Sequence, residues 1–305
     1  MKVAVMGTGA IGGYVGARLA DAGAEVSLVA RGAHLQEIRE HGLKVTSPNG
    51  DLHIRPVQAS DDPGDIGPVD IVLFAVKLYD LTTAAEAIRP MVGPDTLVVF
   101  LQNGVDAEAV LTEAFGRKRV AGGVALINGA LAAPGVIEHR ALNALIVGTL
   151  DGGADPRLDR LVALASESGI ETTLSPDIRR EIWRKFLLLA PMASLSAMTR
   201  VALGAIRDNA ETWALAEMGM WEVAAVANTE GVAITADDVR EALEFVGSMP
   251  ETWQASTLID LQQGRRLEVE WLAGAVCRIG RNHGIATPFH QVALGALMPH
   301  AAGNV

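Results

Sequence analysis

The first twelve residues restrict the possible folds more than any other stretch. The apolar run "VAVM" breaks at Gly7 into "GTGAIG", and a helical pattern follows from about Ile11 to Ala22. A glycine turn joining a short buried strand to a helix opens a βαβ unit, and the next segments repeat that alternation. The strands "EVSLVA", "DIVLFAV" and "TLVVFLQ" are separated by helical stretches near Ala33 to His41 and Leu81 to Val92. Strand and helix at this spacing predict a parallel sheet covered by helices, which holds its ligands beyond the carboxyl ends of its strands.

The segments "VTSPNGDLHIRPVQASDDPGDIG" and "GVALINGALAAPGVIEHRALNALIVGTL" read as short strands and turns added to that sheet. The helix "DPRLDRLVALASESG" and the strand "IETTLS" close the first part near Ser175. From Asp177 the strand signal ends, and "DIRREIWRKFLLLA", "NAETWALAEMGMWEVAAVANTEG", "TADDVREALEFVGSM" and "LEVEWLAGAVCRIGRNHG" read as helices. Thr235 with Asp238 marks a helix start and Gly231 a helix stop. The expected architecture is α/β: an N-terminal Rossmann-type dinucleotide-binding domain over residues 1–175 and a C-terminal all-α domain over residues 176–305.

Composition excludes several functions. The formal net charge of -11 and the lack of a long Lys/Arg cluster argue against nucleic acid as a partner. The stretch "FLLLAPMASLSAM" is too short for a membrane span and contains a proline, so no membrane segment is expected. "VAVM" is too short for a secretory signal core, and the single Cys277 suits a reducing compartment, so a cytoplasmic location is expected. The seven histidines show no metal-ligand spacing, and no metal is expected. Small-molecule chemistry remains.

Gly7, Gly9 and Gly12 fit G-x-G-x-x-G after a strand and before a helix. Gly7 permits the tight turn, Gly9 lets the backbone approach a pyrophosphate, and Gly12 allows close helix–strand packing, with the amides around Ala10 and Ile11 facing the anion. Sites for NAD carry an acid about 20 residues further on, whereas this chain has Ala30 and Arg31. An arginine makes charge-assisted bonds to a 2′-phosphate that an acid would repel, so NADP(H) is the expected cofactor.

Lys77 and Asn103 fall at the carboxyl ends of predicted strands, on the ligand side, although a solvated lysine and an Asn-Gly turn would look the same. Lys185 lies in "REIWRKFLLLA", on a helix with a buried far side. A lysine near a low-dielectric cleft could protonate an alkoxide formed when hydride reaches a carbonyl. Ser256 and Glu268 have no local mechanism by spacing alone.

Taken in order, "GTGAIGG", "ARG", "AVKLYD", "LQNGV", "IWRKF", "STLIDLQQGRRLEVE" and "RNHGIATP" resemble the ketopantoate reductase (2-dehydropantoate 2-reductase) family from Met1 to about Pro288. The resemblance implies an NADPH-dependent reductase that delivers hydride to the 2-keto carbon of ketopantoate, giving pantoate for the route to pantothenate and coenzyme A. It implies Lys185 as the general acid, Glu268 as a substrate-orienting hydrogen-bonding group and Ser256 as a contact to the substrate's polar end. Lys77 and Asn103 would line the cofactor and the nicotinamide end of the cleft, where Asn103 would also contact the substrate, and Arg31 would hold the 2′-phosphate. Because family members are often dimeric, it also implies a homodimer.

One departure bears on the substrate. Family members typically continue in a form like "KLxxNxxxNPLT" after the lysine, with two asparagines that face the substrate. This chain has Leu189 and Ala193 at those places, in "KFLLLAPMASLSAMT". Each buried group left unpaired by such a loss costs roughly 1–3 kcal/mol. Either the pocket suits a less polar or bulkier 2-keto substrate, or Ser194 and Ser196 compensate from a helix shifted at Pro191. A reductase of another carbonyl or imine and a non-catalytic NADP-binding sensor are the alternatives, and retention of Lys185 and Glu268 disfavours the sensor.

Overall fold

The computed structural model describes residues 1–303. The chain begins with β1 (Lys2–Met6), α1 (Ala10–Asp21), β2 (Glu25–Val29), α2 (Gly32–His41), and the short strands β3 (Leu43–Thr46), β4 (Leu52–Ile54) and β5 (Gln58–Ser60). Next come β6 (Ile71–Phe74), α3 (Leu81–Ala87), β7 (Leu97–Phe100), α4 (Ala107–Phe115), β8 (Val120–Ala133), β9 (Val136–Thr149), α5 (Pro156–Glu167) and β10 (Glu171–Leu174). Helices complete it: α6 (Ile178–Thr199), α7 (Leu203–Arg207), α8 (Ala210–Thr229), α9 (Ala236–Ser248), α10 (Ser256–Gln262), α11 (Ala273–His283) and α12 (Pro288–Leu297). Two compact units result, one of Met1–Gln102 with Ala107–Ile178, the other of Asn103–Asp106 with Arg179 onward.

In the first unit one sheet runs β4-β3-β9-β8-β7-β6-β1-β2-β5, with β10 beside β9. The strands β8, β7, β6, β1, β2 and β5 run parallel to one another in that order. β1, β6 and β7 are buried along nearly their whole length because helices cover both faces, which is why they read as continuous apolar runs. Strand order reverses direction between β1 and β6, and a crevice opens at such a switch point beyond the strands' carboxyl ends. The α/β part with a helical second part is the architecture expected from sequence.

Three local expectations need correction. The helix expected to reach Val92 ends at Ala87 and gives way to a 3₁₀ turn at Arg89–Met91, because Pro90 has no N–H to continue it. The segment expected as short strands is one long antiparallel hairpin, β8 with β9, turning at Pro134 and Gly135. In β8 the inner half is buried on both faces and the outer half largely exposed, so that strand lacks alternation, while β9 keeps stretches of it around Ile137 and Leu145. In the third, the helix expected from Leu267 begins at Ala273, leaving Glu268 in a turn.

The helical unit is held by its own apolar core, which includes Phe186, Met220, Val223, Val276 and Phe289. α6 continues through Pro191 to Thr199, beyond the quoted helical stretch that ends at Ala190. Proline deprives the carbonyl four residues back of its partner, so packing must compensate. Gly219 on α8 makes that packing close: a Cβ there would lie 2.8 Å from both Pro191 and the Phe289 ring.

The last helix has an internal cap. Glu222, buried on α8, accepts from the Phe289 and His290 backbone N–H groups at 2.7 and 3.1 Å and from His290 Nδ1 at 2.7 Å. α9 starts with the expected capping box of Thr235 and Asp238, and Gly231, with φ 75°, follows α8 as expected. Cys277 is buried in α11, and burial pushes its thiol up. Among the described residues no helix is long and apolar enough to cross a membrane, and no group of three His, Cys, Asp or Glu could hold a metal.

Candidate active site

On the first unit, the turn after β1 is shaped by three glycines. Gly7 adopts φ 98°, and a Cβ there would lie 2.8 Å from the Val76 nitrogen and 2.9 Å from the Ala75 carbonyl. The turn is therefore pressed against the chain that leaves β6, at the switch point. A Cβ on Gly12 would sit 2.2 Å from the Gly7 carbonyl, so only glycine lets α1 start this close to its strand.

Gly9 is the opposite case: a Cβ there would meet nothing within 4 Å. It occupies the N-cap of α1 with no side-chain cap, and the first turn carries no acid. Gly9 thus leaves open space beside the positive end of a twelve-residue helix whose leading amides, at Ala10 and Ile11, have no intrahelical acceptor. An uncapped helix start with a glycine clearing its approach fits a pyrophosphate, which is the group the sequence expectation assigned to it.

Neighbouring strands fix the turn. Thr8 donates to the Val29 carbonyl from its backbone N–H at 3.2 Å and from its hydroxyl at 2.9 Å, tying the turn to the end of β2. The Gly135 N–H donates to His34 Nδ1 at 2.8 Å, so Nε2 carries the ring proton and donates it to the Thr8 carbonyl at 2.7 Å. Burial lowers the His34 pKa, partly countered by its Thr8 bond, consistent with this neutral ring. Neither tie is legible in sequence, since Thr8, His34 and Gly135 match no spaced motif.

Arg31 is the N-cap residue of α2, directly beyond β2, and Lys77 lies exposed three residues beyond β6. Gly7, Gly9, Gly12, Arg31 and Lys77 therefore share the carboxyl edge of one sheet. Sequence reasoning missed a further charge on that edge: Asp80 Oδ2 lies 2.7 Å from Arg31 Nη2. A search confined to the end of β2 could not find it, because Asp80 arrives from the turn after β6.

The other expected residues belong to the helical unit. Lys185 is half-buried on α6, Ser256 is the exposed first residue of α10, and Glu268 is buried in the turn before α11. Asn103 follows β7 but packs with this unit, within the segment Asn103–Asp106, whose Asp106 pairs with Arg278 of α11. Gly104 takes φ 99°, and the chain bends at Asn103 and Gly104.

Burial alone lowers the Lys185 pKa to about 8. An ammonium in that range gives up its proton far more readily than a solvated lysine, which is the property a general acid needs near neutrality.

One and two turns along α6, Ala193 is buried in the unit's core and Leu189 packs against it. The two serines offered as substitutes are both buried and turned to backbone. Ser194 donates to the Ala190 carbonyl at 2.7 Å and Ser196 to the Val201 carbonyl at 3.4 Å. Their hydroxyl protons are engaged within the chain, so they do not replace the amide donors of two asparagines.

Residues 3–152 match the family model described as ketopantoate reductase PanE/ApbA, and residues 177–301 match its C-terminal counterpart. A curated 2-dehydropantoate 2-reductase of Mesorhizobium japonicum is 33% identical over 302 residues, with 92% of each chain covered. The crystal structure of a PanE/ApbA family ketopantoate reductase from Ralstonia eutropha JMP134 superposes with TM-score 0.91 at 33% identity, covering 99% of this chain and 98% of that one. A D-mandelate dehydrogenase solved with NADH and anilino(oxo)acetate shares the fold, with TM-score 0.91, 24% identity, and 99% and 98% coverage. Two family models covering nearly the whole chain, together with a curated relative at 33% identity over 302 residues, place this protein in the ketopantoate reductase family.

Proposed function

We propose that this oxidoreductase reduces a 2-keto acid to the 2-hydroxy acid with NADPH, and that 2-dehydropantoate, giving pantoate, is the substrate its relatives' names support. When bound, NADP(H) supplies the hydride for the 2-keto carbon. The uncapped start of α1 holds the pyrophosphate, Arg31 the 2′-phosphate, and Lys77 and Asn103 the cofactor's remaining length. Lys185 donates a proton to the carbonyl oxygen as the alkoxide forms and recovers one from solvent. Glu268 hydrogen-bonds the substrate to orient it, and Ser256 contacts its polar end. Positioning contributes most of the acceleration and the acid completes the transfer.

The observation that carries this reading is Lys185, brought to about 8 by burial on a helix at the place where the family motif puts its lysine. A second reading concerns the substrate's bulk. Leu189 and Ala193 pack as core residues, and the hydroxyls of Ser194 and Ser196 are bonded to backbone. A pocket so built favours a 2-keto acid with a branched or aryl apolar side chain over one that needs amide hydrogen bonds. The fold does not choose, since it also carries a D-mandelate dehydrogenase.

NADPH oxidation by the purified protein against ketopantoate, other branched and aryl 2-keto acids and cyclic imines tests both readings. The expected result is turnover of 2-keto acids. Ketopantoate as the best substrate supports the first reading and a bulkier acid the second. Turnover of imines alone, or of nothing, would refute the proposal.

A further inference from the structure

Dinucleotide sites that take NAD carry an acid at the end of the second strand, where it accepts hydrogen bonds from the ribose hydroxyls. β2 here runs into Ala30 and Arg31 instead. A carboxylate nevertheless stands beside that place: Asp80, carried by the turn after β6, lies 2.7 Å from the Arg31 guanidinium.

Asp80 closes the 3₁₀ turn Leu78–Asp80 that runs directly into α3, and its carboxylate makes no helix-capping bond but pairs with Arg31. The two side chains remain 73% and 32% exposed, so the pair faces solvent along the edge where the adenosine ribose would lie.

Resting on the reading of Arg31 as partner of the 2′-phosphate, we infer that Asp80 is a second determinant of cofactor choice that opposes Arg31. With NADPH, the phosphate and the Asp80 carboxylate compete for one guanidinium and repel each other. With NADH, the 2′-hydroxyl donates to the same carboxylate, which supplies from β6 the acid that β2 lacks. The pair therefore narrows the preference for NADPH that Arg31 alone would give. Like charges about 4 Å apart in water alter affinity roughly fivefold per unit charge, and salt reduces the effect.

Direct binding titrations test this without turnover. NADPH, NADH, 2′,5′-ADP and 5′-AMP are titrated into the natural chain, Asp80→Asn and Arg31→Ala at low and at physiological salt, with circular dichroism as the check on folding. Asp80→Asn is expected to tighten NADPH and 2′,5′-ADP about fivefold or more, to leave NADH and 5′-AMP unchanged or weaker, and to lose part of its gain in salt.

Unchanged or weaker NADPH binding in Asp80→Asn would overturn the inference, the weaker result meaning that Asp80 holds Arg31 ready. Equal losses of NADPH and NADH in Arg31→Ala would overturn the underlying assignment of Arg31. Failure of the natural chain to bind either dinucleotide would overturn the cofactor reading itself.

Discussion

At the scale of single residues, Lys185 sets function against stability. Its pKa of about 8 lies below the ordinary 10.5, so the unfolded chain binds the extra proton between those values. Stability attributable to this group therefore rises with pH from about 8 to 10.5, and the burial cost is fully present below about 8. Lys185→Met should gain about 1–3 kcal/mol in urea denaturation at pH 7 and show less of that rise. Turnover should fall about a hundredfold or more in Lys185→Ala. In the natural enzyme kcat/KM should decline as pH passes about 8 and the acid loses its proton. A pH profile that stays flat through that range would assign proton donation elsewhere. The place of Lys185 on a helix with a buried far side could be read from its local sequence; the Asp80 pairing could not, because Asp80 meets Arg31 only across two strand ends.

At the scale of elements, legibility followed periodicity. α9 announced itself through Thr235, Asp238 and an amphipathic pattern, whereas β8 gave no alternation because burial changes along its length rather than between its faces. α6 passed through Pro191 because tertiary packing around Gly219 and Phe289 overrides a local breaker. The start of α12 shows the same dependence on distant partners, since its cap comes from Glu222 on α8. Glu222→Ala would leave two backbone N–H groups and the His290 ring without their buried acceptor. The expected loss is about 3 kcal/mol or more, read as a lower urea midpoint, while Glu222→Gln, which keeps one acceptor oxygen, should lose less. Equal losses in the two variants would show that the carboxylate serves only as filling.

At the scale of the whole molecule, the βαβ alternation and the later disappearance of strands gave the architecture because both follow from backbone periodicity. The placement of Asn103–Asp106 with the helical residues did not show, since four residues after β7 carry no pattern of their own. The glycine turn at Gly7 to Gly12 could be read from one local stretch, whereas Lys185, Ser256 and Glu268 lie on separate elements and are proposed for the site only through family resemblance. Ligand-linked stability provides a test that covers the whole chain. A ligand bound only by the folded state at 100 times its Kd adds about 2.7 kcal/mol. For a protein of this size each kcal/mol raises the melting temperature by roughly 2–4 °C, so saturating NADPH should raise it by about 5–10 °C. Arg31→Glu leaves the glycine turn intact and should melt near the natural temperature without ligand, yet lose most of the NADPH shift and keep more of the NADH shift. Gly12→Val must push against the Gly7 carbonyl, 2.2 Å from where its Cβ would stand, and should lower the unliganded melting temperature and weaken both shifts. The contrast separates the residue that reads the phosphate from the one that shapes the fold; identical behaviour of the two variants would refute that division of roles.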